Sequence, residues 1–269
     1  MNTAISYFSR SIVAETFKLK RTPLLWIALI GGIFVSGFVF LIYVFSVENL
    51  GNVKGNPWNL YFRFGFTMIS LLFAMPYIVL VTSSITYFEH NSNTWKFLYT
   101  LPLQKGNFYF SKLFVVISLI AVTYIVYFIS LFITGYLLDF IRPVYGFQKT
   151  APDFVWFIST LGHSYLSLLG ITSLHYWMSI RWKNFILPMS IGLLGFIIAV
   201  FILLAKKYDM AIYFPYAYAG LVGLELGPHN EPTGMLQFWK LTSAEWLSLA
   251  CFVVFTFVGF WEEKKSNVK

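Results

Sequence analysis

Long apolar stretches separated by short charged ones dominate this chain. Five stretches of at least 20 residues carry no formally charged side chain, and a sixth is interrupted by Glu245. An α-helix needs roughly 20 apolar residues to cross about 30 Å of hydrocarbon. The pattern therefore predicts transmembrane helices over 24–47, 64–88, 113–138, 154–180, 185–205 and 241–261. Because the sixth span is marginal, we expect Glu245 at its outer interface.

The sequence leaves two alternatives to this six-span layout. A secretory signal peptide has an apolar region of about 7 to 15 residues, shorter than the first span, which moreover follows 23 residues of chain. The segment 206–240 is apolar but broken by Pro215, Pro228 and several glycines, which favours an outer re-entrant or interfacial hairpin. A seventh span there would place Lys264 and Lys265 on the opposite side from the other basic segments.

Charge separates cleanly when the connecting segments are assigned alternately to two sides. The entire formal charge of +8 lies on one side. That side holds the amino terminus, the loop before span three, the turn after span four and the carboxyl tail. On the other side cations and anions balance. The positive-inside tendency makes the charged side cytoplasmic, with both termini there. No connection is long enough for a separate domain, so we expect residues 1–269 to form a single membrane domain.

Composition supports an all-α polytopic membrane protein. The chain is 58% hydrophobic and 11% charged, whereas roughly a quarter of the residues of a soluble domain are charged. The high isoelectric point does not indicate nucleic-acid binding, because the basic residues bracket apolar spans. Cys251 is the single cysteine and lies in an apolar run, so neither a disulfide nor a metal site is expected.

Several classes of enzyme and transporter are disfavoured by what the sequence lacks. There is no G-x-x-x-x-G-K-[ST] loop, so ATP hydrolysis of the P-loop kind must come from another chain. No predicted span carries a charged residue near its centre, which argues against an ion-coupled carrier. An H-E-x-x-H motif and a catalytic nucleophile set are also missing from the spans, so no enzyme activity is expected.

The loop between spans two and three predicts a short amphipathic helix. Asn93 can cap it, Trp95 and Leu98 fall on one face with Tyr99, and Pro102 stops it. Such a helix either rests on the lipid headgroups or presents its face to a soluble partner. The pattern leaves both interpretations open.

A second amphipathic element precedes span one. Glu15, Lys18, Lys20 and Arg21 form a charged stretch that ends where the membrane begins. Phe17 is spaced from earlier apolar residues at helical intervals, which predicts an interfacial helix lying on the bilayer. Its cations also favour the cytoplasmic orientation.

A few residues within the spans are candidates for packing or for a pathway. His163 and His175 in span four are too far apart to bind one metal. Each is a hydrogen-bonded core residue, a contact to cargo or a pH sensor. Tyr124 and Tyr127 in span three either pack or line a path. Two small residues in span one, separated by three positions, indicate close helix packing, and Pro76 predicts a kink in span two.

Two stretches of this chain lie next to predicted spans on the cytoplasmic side: Glu15-Thr-Phe-Lys-Leu-Lys-Arg21 and Asn93-Thr-Trp-Lys-Phe-Leu-Tyr-Thr-Leu-Pro102. The second is followed by Lys112, which leads into span three. Together they resemble the two cytoplasmic signatures of ABC-2 type transporter permeases. The six-span layout and the outer hairpin before the last span are similar as well. Small permeases of this kind resemble those of bacterial lantibiotic and bacitracin-type export or immunity systems.

The resemblance implies a transport subunit in the bacterial cytoplasmic membrane. Two permease subunits, identical or paralogous, would form the path, and separate ABC ATPase subunits would bind ATP and Mg²⁺. The loop after span two would be the coupling helix that contacts the ATPase, through Asn93, Thr94, Trp95, Leu98, Leu101 and Pro102. A second cytoplasmic contact would involve Ser179, Arg181 and Lys183.

The resemblance further implies export, and the aromatic, uncharged spans suit an amphipathic peptide or lipid-like cargo. The competing hypothesis is a membrane scaffold or an ATP-independent channel whose loops only anchor it. Co-purification of a Walker A chain separates these two hypotheses.

Overall fold

The computed structural model describes residues 2–20, 22–45, 56–91, 105–182, 184–225 and 240–265. Within these ranges the chain is almost entirely helical and has no strand. The helices are α1 (Asn2–Leu19), α2 (Leu24–Phe45), α3 (Pro57–Met68), α4 (Ala74–Asn91), α5 (Lys105–Ile141), α6 (Phe154–Arg181), α7 (Ile186–Leu204), α8 (Tyr208–Ala211), α9 (Tyr218–Glu225) and α10 (Ser243–Lys265). A π-helical turn, Ile69–Phe73, joins α3 to α4.

Six of the described helical segments are long and apolar enough to cross a membrane, when α3, the π-helical turn and α4 are taken as one. The predicted all-α polytopic class is confirmed. We call the end of the bundle that holds α1 and the last turn of α10 the inner end, and the opposite end the outer end. The inner end is the side predicted to be cytoplasmic.

The second and third spanning helices run beyond the predicted apolar stretches. They cover Pro57–Tyr87 and Gly106–Ile141 as continuous apolar segments. The predicted stretches stopped at charged residues, namely Arg63, Lys112 and Asp139. A charged side chain does not interrupt backbone hydrogen bonding, and Lys and Arg are favourable helix residues, so the helices continue past them.

Side-chain caps fix where α3 and α6 begin at the outer end. The side chain of Asn56 accepts a hydrogen bond from the backbone N–H of Trp58 at 3.0 Å. Pro57 occupies the first helical position, where its missing N–H has no consequence. The carboxylate of Asp153 accepts from the N–H of Trp156 at 3.1 Å. Both caps satisfy donors that a helix start leaves unpaired.

The π-helical turn lies one turn before Pro76. Proline has no N–H, and its ring clashes with the carbonyl group four residues earlier, which here is Leu72 in the π-helical turn. Widening the helix at that point accommodates the ring. The irregularity in span two therefore takes the form of a π-helical turn.

Close packing joins α2 to α5. A Cβ atom at Gly32 would lie 2.7 Å from the backbone oxygen of Thr123, so only glycine fits there. One turn later the hydroxyl of Ser36 donates to the hydroxyl of Ser130 at 2.7 Å. These are the two small residues of span one for which the sequence predicted close packing, and the prediction is confirmed.

Helices α6 and α10 form a second tightly packed pair. A Cβ atom at Gly170 would lie 2.6 Å from the backbone oxygen of Ser248. The hydroxyl of Ser248 donates to the carbonyl of Ser167 at 2.9 Å and accepts from the N–H of Gly170 at 3.0 Å. The two backbones are thus in direct contact, at the second turn of α10.

An aromatic cluster ties the outer ends of α2, α3, α5 and α6 to the connection between α5 and α6. At its centre Trp58 is fully buried and donates its indole N–H to the carbonyl of Phe147 at 2.9 Å. The carboxylate of Asp139 accepts from the N–H of Phe147 at 2.9 Å, which fixes the connection. The rings of Phe62, Phe132, Tyr136 and Phe147 surround the indole.

The segment after α7 folds back against the bundle. The ring of Tyr216 lies against Gly195, near the middle of α7, where an added Cβ would be 2.6 Å from the ring. Helix α9 then packs on the π-helical turn, with Gly223 against Ser70. The rest of the predicted outer hairpin, residues 226–239, lies outside the described residues. Whether this hairpin enters the lipid stays a prediction.

Candidate coupling surface and buried polar contacts

The predicted coupling helix falls between two described helices. All six of its assigned residues lie outside the described ranges, namely Asn93, Thr94, Trp95, Leu98, Leu101 and Pro102. Helix α4 ends at Asn91 and α5 begins at Lys105, so this segment connects spans two and three at the inner end. Its contact with an ATPase stays a prediction.

Helix α5 starts immediately after that segment and is unbroken for 37 residues. At 1.5 Å per residue it is roughly 55 Å long. It extends from the inner end to the aromatic cluster at the outer end. Its first turn is therefore connected to the outer end by continuous helix.

The second predicted contact surrounds the end of α6. The guanidinium of Arg181 pairs with the carboxylate of Glu262 on α10, which also accepts from the indole N–H of Trp177 at 2.9 Å. Ser179 is buried, and Lys183 lies outside the described residues. These contacts tie the inner end of α6 to α10, and the ATPase contact itself stays a prediction.

A shallow cleft lies beside this end of α6. Residues from three elements line it: the inner part of α4, the end of α6 and the start of α7. The buried hydroxyl oxygens of Ser83 and Ser179 have no hydrogen-bond partner among the described residues. The cleft thus brings the end of span two, which leads into the coupling segment, next to the second predicted contact.

Helix α1 is the predicted interfacial helix and packs on the first turns of α5. The ammonium of Lys18 lies 2.5 Å from Glu15 Oε1. Glu15 is buried, whereas Lys20 is exposed and its ammonium lies 5.0 Å from the ring centre of Phe17. Arg21 lies outside the described residues. The exposed face carries apolar side chains such as Phe17, and its placement on lipid stays a prediction.

Four charged residues from three helices meet at the inner end, and we call them the inner charge cluster. They are Glu15 and Lys18 of α1, Lys112 of α5 and Glu263 of α10. The side chain of Lys112 is 0% exposed, and Glu15 and Glu263 are 5% and 8% exposed. The other three charges all lie within electrostatic range of the Lys112 ammonium.

The two tyrosines predicted either to pack or to line a path are buried within α5. The hydroxyl of Tyr124 lies 3.1 Å from the hydroxyl of Ser164 on α6. Tyr127 is fully buried, and its hydroxyl oxygen faces α3, where a Cβ atom at Gly65 would be 2.7 Å away. Both side chains make their contacts inside one subunit. A path-lining role stays a prediction.

His163 contacts a carboxylate on the last spanning helix. Its Nδ1 lies 2.6 Å from Oε1 of Glu245, and both side chains are buried. The other carboxylate oxygen accepts from the N–H of Thr242 at 2.6 Å, and the Thr242 hydroxyl accepts from the N–H of Glu245 at 3.3 Å. This reciprocal pair is a capping box at the start of α10. Glu245 therefore lies in the first turn but is not exposed there.

His175 links α6 to the segment after α7. Its Nε2 lies 3.0 Å from the hydroxyl of Tyr216. Burial raises the pKa of Tyr216 to about 12, so the hydroxyl stays protonated at physiological pH. His175 is fully buried in the bundle and makes this hydrogen bond, and a contact with cargo stays a prediction.

Two features of the site were not foreseen from the sequence. The capping-box signal Thr242-Ser-Ala-Glu245 was present and would have placed the start of α10. The meeting of Glu15 with Lys112 had no local signal, because it joins segments separated by two spanning helices. Among the described residues no group of His, Cys, Asp and Glu is arranged to hold a metal ion.

Comparison with protein-family models finds a match over more than half of the chain. Residues 11–199 match the family described as ABC-2 family transporter protein. The match runs from α1 through most of α7. It includes the predicted interfacial helix, the predicted coupling segment, the first four spanning segments and most of the fifth. The same comparison made with curated proteins finds no match.

Proposed function

The chain belongs to the ABC-2 transporter family, and on that premise we propose that it is the permease of an exporter that works as a dimer and is driven by a separate ATPase. Family membership makes it a membrane component of an ABC transporter and not the ATPase itself. The missing P-loop agrees with this division of labour.

The observation that carries the proposal is the continuity of α5. The helix begins at Lys105, directly after the predicted coupling segment, and reaches the outer end without a break. An ATPase that moved this segment would move a single rigid helix through the bundle. Nucleotide-driven closure can change the state of the permease only if its contact with the segment differs between states.

Exposed apolar faces support a second permease subunit beside this one. Large apolar side chains of α2, α7 and α10 point away from the bundle, for example Phe34, Phe201 and Phe257. Such faces suit lipid and a neighbouring apolar helix alike. We propose that the partner is a second copy or a paralogue of this chain.

We propose an amphipathic peptide, of the lantibiotic or bacitracin kind, as the cargo. The centres of the spanning segments carry no charged residue, and the buried charges lie toward their ends, as Lys112, Glu245 and Glu263 do. An uncharged, aromatic path is better suited to such a cargo than to a small ion, for which a charged partner at mid-depth is usual.

Co-purification tests the proposed ATPase partner. The tagged permease is expressed in its native membrane, extracted in mild detergent and captured. We expect a chain with a Walker A loop in near-equal amount and vanadate-sensitive ATP hydrolysis in the complex. A permease that is recovered intact and active in transport without such a chain would contradict the proposal.

Deletion of the gene tests the proposed cargo separately. The deletion strain is compared with its parent for susceptibility to a panel of membrane-active peptides. We expect higher susceptibility to at least one peptide, restored by the wild-type gene. Unchanged susceptibility across the panel would exclude the peptide cargo but not the ATPase partner.

A further inference from the structure

The inner charge cluster brings together two segments that are distant in the sequence. Glu15 lies before the first span and Lys112 lies at the entry to the third, and both are buried at the inner end. The ammonium of Lys112 is the centre of the cluster, with carboxylates from α1 and α10 in electrostatic range.

Helix α5 lies directly on α10 at this level. A Cβ atom at Gly106 would lie 3.2 Å from the ring of Phe260. The rings of Phe110 and Phe260 have their centres 5.2 Å apart. A Cβ atom at Gly259 would lie 2.4 Å from the hydroxyl of Tyr109, so the two helices touch one turn from Lys112 and Glu263.

Helix α1 joins the same contact through one aromatic ring. The ammonium of Lys112 lies 4.3 Å from the ring centre of Phe108, and the ammonium of Lys18 lies 5.2 Å from the same centre. A cation over an aromatic face is attracted by the ring. Lys18 in turn pairs with Glu15, which closes the cluster around α1.

A buried cation is stable only where opposite charges and polar groups compensate for lost hydration. Glu15 and Glu263 supply those charges from two different helices. Separating either helix from α5 would leave Lys112 with less compensation inside the bundle, which is costly. The electrostatics therefore favour keeping α1 and the end of α10 next to α5.

The cluster lies where two tightly packed helix pairs meet. Helices α2 and α5 form one pair, and α6 and α10 form the other. We propose that the inner charge cluster is a positioning joint that makes α1, α5 and the inner end of α10 move as one unit when the ATPase closes. This inference rests on the proposed function, because the movement it transmits is driven by nucleotide.

Distances between spin labels test the joint. In a Cys251→Ala background, cysteines replace the exposed residues Thr16 on α1 and Lys264 on α10, and the labelled permease is diluted with unlabelled permease in the complex with its ATPase. The distance between the two labels is measured by pulsed electron–electron double resonance, without nucleotide and after trapping with vanadate. In the otherwise wild-type protein we expect the same distance in both states.

Loss of the central charge should uncouple the two helices. In Lys112→Met we expect the Thr16–Lys264 distance to differ between the two states by more than the width of the wild-type distribution. Lys112→Arg keeps the charge and should restore the constant distance. Lys20→Met makes the same substitution at an exposed lysine of α1 and should behave as wild type.

A second cluster variant and a second label pair make the outcome decisive. Should Lys112→Met fail to fold, Glu263→Gln carries the same prediction. A second label pair is placed at Thr16 and at the exposed Ile186 of α7, and the distance between these labels should change between the two states. An unchanged distance would count against ATP-driven movement of the permease. A constant Thr16–Lys264 distance in both cluster variants, with that second pair moving, would overturn the joint.

Discussion

Oε1 of Glu245 lies 2.6 Å from Nδ1 of His163, and neither side chain is accessible to solvent. The contact joins the outer halves of α6 and α10, while the other oxygen of the same carboxylate caps α10 through Thr242. One side chain thus serves both helix initiation and helix packing. At the other end of the same two helices, Arg181 pairs with Glu262.

Removing the buried carboxylate should strongly destabilise the protein. Loss of one partner leaves the other buried polar group without its hydrogen bond, which costs about 1–3 kcal/mol. We expect Glu245→Ala to lower the unfolding free energy by an amount of that order, measured by thermal or denaturant unfolding in detergent. Glu262→Ala is the matched control, since its pair is partly exposed and such pairs contribute up to about 1 kcal/mol.

A double-mutant cycle identifies the partner. If His163 and Glu245 act together, His163→Ala combined with Glu245→Ala should cost less than the sum of the single changes. Additive costs would show that the carboxylate acts only as a helix cap.

The contact between α6 and α10 should tolerate no side chain at Gly170. In Gly170→Ala the new methyl would lie 2.6 Å from the backbone oxygen of Ser248, so one helix must move. We expect a loss of about 1–3 kcal/mol, as for other overpacked sites. Gly162 on the same helix has no atom within 4 Å of its Cβ position, and Gly162→Ala should be neutral or slightly stabilising. Equal effects of the two changes would contradict the close packing.

The aromatic cluster at the outer end should depend on Trp58. Its indole is fully buried, and Trp58→Ala would remove the ring contacts and leave the carbonyl of Phe147 without its donor. We expect a loss of about 3–5 kcal/mol. Trp246→Ala, at a tryptophan that is 63% exposed, is the matched control and should change unfolding little. A mild effect of Trp58→Ala would show that the cluster contributes little to stability.

The spanning helices could be predicted because lipid imposes a strong and local constraint on sequence. An apolar run of sufficient length is visible without knowledge of its neighbours. The ends of α5 could not be placed in this way, because Lys112 and Asp139 interrupt the apolar run and not the helix. In the bundle, Lys112 is compensated by other charges and Asp139 accepts hydrogen bonds from the backbone.

The partners in the polar contacts between helices could be identified only from the tertiary structure. His163 was expected to be a core residue, a contact to cargo or a pH sensor, and no local pattern indicates Glu245 as its partner. The same holds for Glu15 and Lys112. Helix periodicity assigns a residue to a face, whereas the partner of that face depends on how several helices pack.

On the proposed function, the permease receives its driving force through the segment between α4 and α5. Trp95→Asp and Leu98→Asp each place a charge on the face predicted to contact the ATPase, and burying an unpaired charge opposes binding. Lys96→Asp, off that face in the predicted helix, is the matched control.

The decisive measurement is the molar ratio of ATPase to permease after affinity capture of each variant, at equal permease expression and membrane insertion. We expect a near-equal ratio for the wild type and Lys96→Asp. Trp95→Asp and Leu98→Asp should each lose most of the ATPase. Full retention of the ATPase by both of these variants would contradict the proposed function.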